Sequence, residues 1–384
     1  VTDRALVSIV FLSYNNARFI RRAIESALSQ TYDRFEVIAV DDGSSDESVS
    51  ILESYGDPRI KIFPHPHNLG LTPSYNEAVA RASGDFVVNL DSDDAMSPTR
   101  TALQLEAFAG RAEVDVVGTY VEIIDENDQP HERAPELESL LNQPWDFNLP
   151  ATWIGQNNLV RSATMMRRGL HERVGPNELG MLRAPDYDLW TRCLQSGGRF
   201  LMIPERLTQY RLHKHGLTYG DPKATFLELS YSLIRRLLPM ISAAEDWQTL
   251  EKAHDWMTAD PQFMDLPPDA RARLAALFLN GWDDSFRRFE DALARAEALP
   301  VDLAEAGRRR LQLEQSAKAR LEAMREAADW HAEQGRNWKA AAEWRAQQVE
   351  NWKAAFEGEK AWRQQLQVQL GLAPDEGESA DKEV

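Results

Sequence analysis

Three acidic residues end an apolar run in the stretch Gly84–Pro98, GDFVVNLDSDDAMSP. Phe86–Leu90 is short, hydrophobic and entered through a glycine, the pattern of a buried strand, and it runs directly into Asp91, Asp93 and Asp94. Three carboxylates at one strand end repel one another unless positive charge lies among them. Hard oxygen ligands at the carboxyl end of a sheet strand suit Mg²⁺ or Mn²⁺ carrying phosphate oxygens. The plainer alternative is a solvated turn in which one aspartate caps the helix after Pro98.

The elements that would position this loop follow in chain order. Val7–Leu12 is a β-branched apolar run closed by the polar turn Ser13-Tyr14-Asn15-Asn16. Phe19–Leu28 has helical spacing, and Phe35–Val40 is a second strand ending in Asp41-Asp42-Gly43-Ser44-Ser45-Asp46. A helical stretch from Ser48 to Tyr55, a third strand over Arg59–Phe63 and a helix over Pro73–Ala82, opened by Asn68-Leu69-Gly70, repeat the unit. Strand, helix, strand with short links implies right-handed crossovers and a parallel sheet. One edge would then collect Tyr14, Asp42, Asn68, Asp91, Asp93 and Asp94. An aromatic ring there can stack on a base, Asp42 can accept a base N–H, and the carboxylates can hold a metal on a diphosphate. With no G-x-G-x-x-G and no P-loop lysine, a metal must neutralise the phosphates. The combination points to a sugar nucleotide whose leaving group is a nucleoside diphosphate.

Composition narrows the class. With 384 residues, 43% of them hydrophobic, the chain can bury a full core and form two or three structural units. A net charge of −18 argues against a nucleic-acid partner, which needs a basic face. Cys193 is the only cysteine, so no internal disulfide and no thiolate metal site is expected. No apolar run approaches the roughly 20 residues of a membrane span, and no signal-peptide pattern opens the sequence. A cytoplasmic place is expected, beside a membrane at most.

The stretches VSIVFLSYNNARFIRRAIESALSQTYDRFEVIAVDDGSSDES and NLGLTPSYNEAVARASGDFVVNLDSDD, continued by RSATMMRRGLHERVG, APDYDLWTRCL and YRLHKHG, resemble a family 2 glycosyltransferase of the GT-A fold. The likeness spans about the first 220 residues. It implies an α/β fold, a Rossmann-like, mostly parallel sheet flanked by helices that binds a nucleotide sugar. By it, Ser13, Tyr14, Asn15, Asp42, Asn68, Asp91, Ser92 and Asp93 would hold the donor, with Tyr14 and Asp42 at the nucleobase. Asp93, Asp91, Asp94 and His213 would hold Mn²⁺ or Mg²⁺. Asp186 would be the catalytic base of an inverting transfer, most simply from a uridine diphosphate sugar to a glycan, glycoconjugate or protein.

Departures from the family pattern are Leu12 in place of proline, Ser74-Tyr75-Asn76 without the usual arginine, and Pro185 in place of the glutamate beside Asp186. The competing role for Asp186 is helix capping, and Asp188, two residues on, should point elsewhere. Asn127–Trp145 is charged, aperiodic and proline-punctuated, and reads as a loop or lid. Trp153, Gln156 and Asn157 are expected to approach the acceptor.

Beyond residue 222 strand signals stop. Residues 1–222 form the expected catalytic domain, and 223–300 a small helical one with stripes at Phe226, Leu229, Leu233, Leu237 and at Leu274, Leu277, Phe278, Trp282. From Pro300 to Leu370 a proline-free rod of roughly 100 Å is expected. Trp330–Glu343 and Trp344–Glu357 are gapless repeats of two heptads, which favours a left-handed coiled coil and a homo-oligomer. Trp330, Trp338, Trp344, Trp352 and Trp362 lie within a stripe of about 120°. Residues 371–384 read as an acidic disordered tail. Two other readings are a sugar-phosphate nucleotidyltransferase, which would usually carry a basic Gly-rich loop where SYNNARF stands, and a non-catalytic scaffold with a degenerate transferase domain.

Overall fold

The computed structural model describes residues 5–214, 221–244, 246–268, 270, 271, 273–275, 277 and 278. The tryptophan repeats, the coiled coil and the acidic tail lie outside these residues. In chain order the elements are β1 (Val7–Ser13), α1 (Ala17–Leu28), β2 (Phe35–Asp41), α2 (Ser48–Glu53), β3 (Ile60–Pro64), α3 (Leu71–Arg81), β4 (Phe86–Asp91) and the two-residue β5 (Ala95–Met96). They continue with α4 (Arg100–Phe108), β6 (Val114–Ile124), α5 (Ala134–Leu141), β7 (Thr164–Arg167), α6 (Arg168–Val174), α7 (Pro185–Gln195) and β8 (Arg199–Arg211). Helices α8 (Pro222–Ser232), α9 (Leu238–Ala243), α10 (Trp247–Ala259) and α11 (Pro261–Met264) follow.

The strands form one sheet in the order β3-β2-β1-β4-β7-β6-β8-β5. As the crossovers require, β1, β2, β3 and β4 are mutually parallel, while β7 runs antiparallel between β4 and β6. The chain leaves β1 toward β2 on one side and returns as β4 on the other, so a crevice opens at the carboxyl ends where strand order reverses. Register aligns the crevice. Leu12 sits opposite Asp91, and Ser13 opposite Asp41, so the three polar loops start at one level.

Side-chain alternation divides the core into two layers, as expected for a sheet covered on both faces. Val7, Ile9 and Phe11 pack with Ile20, Ile24, Leu105 and Phe108 of α1 and α4. Val10, Leu12, Ile38 and Val40 face the opposite layer, with Tyr75 of α3 and Tyr187, Leu189 and Trp190 of α7. Phe226, Leu233, Leu237, Ile241, Leu250 and Met257 belong to that same cluster, so the C-terminal helices share a core with the sheet. Between α8 and α9 the chain makes one π-helical turn, Leu233–Leu237, and the Phe226–Leu237 stripe keeps its buried face across it.

Two expectations change. Part of the supposed Asn127–Trp145 lid is helical: α5 turns Ala134, Leu137 and Leu141 toward β6, a stripe diluted by charges in the sequence. Glu138 accepts from Ile123 N at 2.9 Å, and Asn142 exchanges two 2.8 Å hydrogen bonds with the Val121 backbone. Trp153 does not approach an acceptor, since it is fully buried against Phe147, Phe200 and Tyr187, its Nε1 donating to Phe147 O at 2.9 Å. No helix among the described residues is long and apolar enough to cross a membrane.

Candidate active site

The loops after β1, β2 and β4 are tied into one wall by short polar side chains. Asn15 adopts a positive φ of 50°, its N–H donates to Ser44 Oγ, and its Oδ1 accepts from Ser45 N, both at 2.8 Å. Asn16 Nδ2 donates to Ser92 Oγ at 2.8 Å, and Asp46 accepts from Ala17 N at the start of α1. Ser13 is buried, while Tyr14 is 48% exposed at the rim, with its ring available for stacking. Gly43 lets the β2 loop pass under the β3 loop: its φ is +76°, and a Cβ would stand 2.4 Å from His67 C.

Asp42 is buried and organises the β3 loop. Its oxygens accept from Leu69 N at 2.8 Å and Gly70 N at 2.9 Å, which orients exposed Asn68 beside it. His65 Nδ1 lies 3.0 Å from Asp42 and Nε2 lies 2.8 Å from Glu77. Burial alone would lower the His65 pKa, but the two carboxylates outweigh it and hold it up at about 9. A raised histidine pKa gives stability that is complete below pH 6.5 and is lost as the pH rises through about 9. Urea unfolding below 6.5 and above 9 should therefore show a larger loss for the native chain than for His65→Gln. Equal losses would remove the charged bridge.

The acidic loop is met by its own polar partners. Asp91 pairs with Arg161, whose guanidinium also lies 5.3 Å from the centre of the Tyr75 ring. Asp93 Oδ2 is 2.9 Å from His213 Nε2. Asp94 points inward: Oδ1 accepts from Arg211 N at 2.8 Å, and buried Oδ2 has no hydrogen-bond partner. Arg211 Nε donates to Asp93 O at 2.7 Å and the guanidinium reaches Asp128 at 2.5 Å. No aspartate caps α4, whose N-cap Thr99 makes no side-chain cap bond either. Burial, then Arg161 in opposition, then Asp93 and Asp186 set Asp91, whose pKa is raised overall. Burial with Asp93 and Asp91 raises Asp94 well above the usual range.

Asp186 lies in the first turn of α7, behind N-cap Ala184 and Pro185, a proline in the position helices favour. It does not serve as the N-cap. Its Oδ1 accepts from Tyr187 N at 2.9 Å and its Oδ2 from Asn157 Nδ2 at 2.8 Å. Burial raises its pKa, opposed by Arg161 and Asn157. Against its burial, Asp91, paired with Arg161, and the more distant Asp186 both raise the Arg161 pKa. Asp188 points away as expected, paired with Arg192 at 2.7 Å and Arg236 at 3.3 Å.

Among the described residues no group of three or more His, Cys, Asp and Glu side chains is set to hold a metal. The structure brings Asp93 together with His213, and leaves Asp91 with Arg161 and Asp94 with Arg211. His65, Arg161 and Arg211 were given no role from the sequence, because each acts through a partner 20 or more positions away.

Residues 8–175 match the profile of Glycosyl transferase family 2. The chain is similar to an uncharacterised glycosyltransferase of Methanocaldococcus jannaschii, 28% identical over 214 residues that cover 55% of this chain and 72% of that protein. It is also similar to one of Haemophilus influenzae, 29% identical over 220 residues that cover 54% of this chain and 66% of that protein, just under two thirds of its length. Its fold is similar to that of S. aureus TarS residues 1–349, with a TM-score of 0.53 at 17% identity over 72% of this chain and 80% of that one. With the crevice, the acidic loop and the matched residues together, residues 8–175 are similar to glycosyl transferase family 2, on a GT-A-like sheet.

Proposed function

We propose that the cleft takes a nucleoside diphosphate sugar, best suited to a uridine diphosphate donor, and transfers the sugar with inversion to a hydroxyl of a glycan, glycoconjugate or protein. The observation that carries this reading is the Asp91–Arg161 pair at the end of β4, with Asp186, held by Asn157, near enough to influence both electrostatically. Tyr14 offers its exposed ring to the base. Asp42 already accepts three hydrogen bonds, and a carboxylate has about four acceptor sites, which leaves one for a base N–H. Asp91, steadied by Arg161, faces the ribose and the sugar.

Asp93 and His213 fit a hard divalent ion, Mn²⁺ or Mg²⁺, since a carboxylate oxygen and an imidazole nitrogen already converge at 2.9 Å. Such an ion would neutralise charge on the departing diphosphate. Asp186 accepts the acceptor proton; one carboxylate suffices for a single displacement. Asn157 holds one of its oxygens, fixing the direction of the other.

Thermal-shift measurements with uridine and guanosine diphosphate sugars, with and without Mn²⁺, test this reading. A donor-dependent rise that needs Mn²⁺ is expected, and Asp93→Ala or His213→Ala should abolish the Mn²⁺ requirement together with most of the rise. No shift with any donor, or the same shift without metal in every variant, would remove the proposed site.

A further inference from the structure

We propose that Glu228, on the first C-terminal helix and outside the family-matched residues, is a positioning residue for Asp186. The inference rests on the assignment of Asp186 as the base. Residues 175–184 cross from α6 to α7 without regular structure as a strap. On one side the strap is fastened to α3, the helix that starts at the donor-side Gly70 loop. Asn76 and the Asn177 backbone exchange hydrogen bonds of 2.9 and 2.8 Å, and Thr72 Oγ1 donates to Met181 O at 2.6 Å. On the other side it is fastened to α8 and the π turn, through Glu178 with Tyr231 at 3.0 Å and with Arg236.

The last three strap residues are gripped by one carboxylate. Glu228 accepts from Leu182 N at 2.9 Å, Arg183 N at 2.9 Å and Ala184 N at 2.8 Å. Charge-assisted bonds to three consecutive amides fix the backbone entering α7 far more firmly than one neutral contact would. Ala184 is the N-cap and Pro185 has no N–H to give, so the chain is held two residues before Asp186, at the last amide that can be held ahead of it. Losing this grip frees the first turn of α7 to shift, and a displacement near 1 Å at a reacting group costs up to about 100-fold in rate. The C-terminal helices, which share the core of the sheet, would then complete the catalytic centre.

Glu228→Ala and Glu228→Gln in the full chain test this, with release of UDP from UDP-glucose or UDP-N-acetylglucosamine, Mn²⁺ present and water as the acceptor. For Glu228→Ala the expected result is a fall in kcat of about 10- to 100-fold with the donor KM within about twofold. Glu228→Gln should lose less, since its amide oxygen can still accept from two of the three amides. Amide hydrogen exchange across residues 182–188 should accelerate in the alanine variant. In an Asp186→Asn background Glu228→Ala should cost little more, because both act through one group. Unchanged exchange across the strap end, or kcat and donor KM falling away together with the melting temperature, would overturn the proposal. Full turnover by Asp186→Asn alone would instead defeat the base assignment, a result distinct from an unaltered Glu228→Ala.

Discussion

Asp186→Asn should lower transfer by about 10²- to 10⁴-fold, the range expected for removing a general base, while keeping the Mn²⁺-dependent thermal shift with donor. The two readouts separate because Asp186 touches neither Asp93 nor His213; its contacts are Asn157 and the Tyr187 amide. Denaturant unfolding of the same variant separates a lost base from a lost fold. Burial raises the Asp186 pKa, and a raised carboxylate contributes stability that is complete below its ordinary pKa of 3.8 and is lost as pH rises through the folded value. At neutral pH the native carboxylate therefore costs stability relative to its protonated form. The same direction predicts that the acid limb of kcat/KM lies above 3.8. Transfer at the native rate by the asparagine variant would move the base elsewhere in the cleft.

Arg100→Met should remove about 3–5 kcal/mol of stability, the scale for breaking a buried charged network. Arg100 has no exposed surface, and its guanidinium donates to Ser162 O at 2.6 Å, Thr164 O at 3.1 Å, Asn89 O at 3.2 Å and Gln104 Oε1 at 3.2 Å. These carbonyls belong to β4, β7 and the turn between Arg161 and Ala163, so one side chain fastens the strand that carries the acidic loop to the turn that carries Arg161. Burial lowers the Arg100 pKa and Asp94 opposes it, so the arginine also serves as a counter-charge beneath the acidic loop. Methionine fills similar volume but leaves three backbone acceptors unsatisfied. Arg100→Lys should fall between, because an ammonium keeps the charge without the planar fork. Denaturant unfolding measures both, and a loss under about 1 kcal/mol for the methionine variant would refute the network's importance.

The C-terminal helices show where sequence and tertiary structure part. Their apolar stripe, Phe226 to Leu237, was legible, because periodicity is a local property of the chain. That the stripe completes the same core layer as Tyr187 and Trp190 was not, since packing partners come from distant segments. Helix α5 was hidden for a related reason: its stripe is short and gains its hold from Glu138 and Asn142 bonding β6 rather than from helical propensity. Trp153 was misplaced because an isolated tryptophan near polar residues reads equally as an acceptor platform or a core residue, and only burial decides.

The sequence by itself determined the alternating strands and helices and the three polar loops that end β1, β2 and β4, and proposed the candidates for a nucleotide and a metal, because strand period and loop chemistry are written within a few positions of one another. Only the tertiary structure decided which groups stand against the aspartates: Arg161 on Asp91, and Arg211 at the Asp93 carbonyl and the Asp94 carboxylate. Each of those pairs joins separate segments of the chain, and a charge buried beyond the reach of water is settled by whatever the fold places beside it.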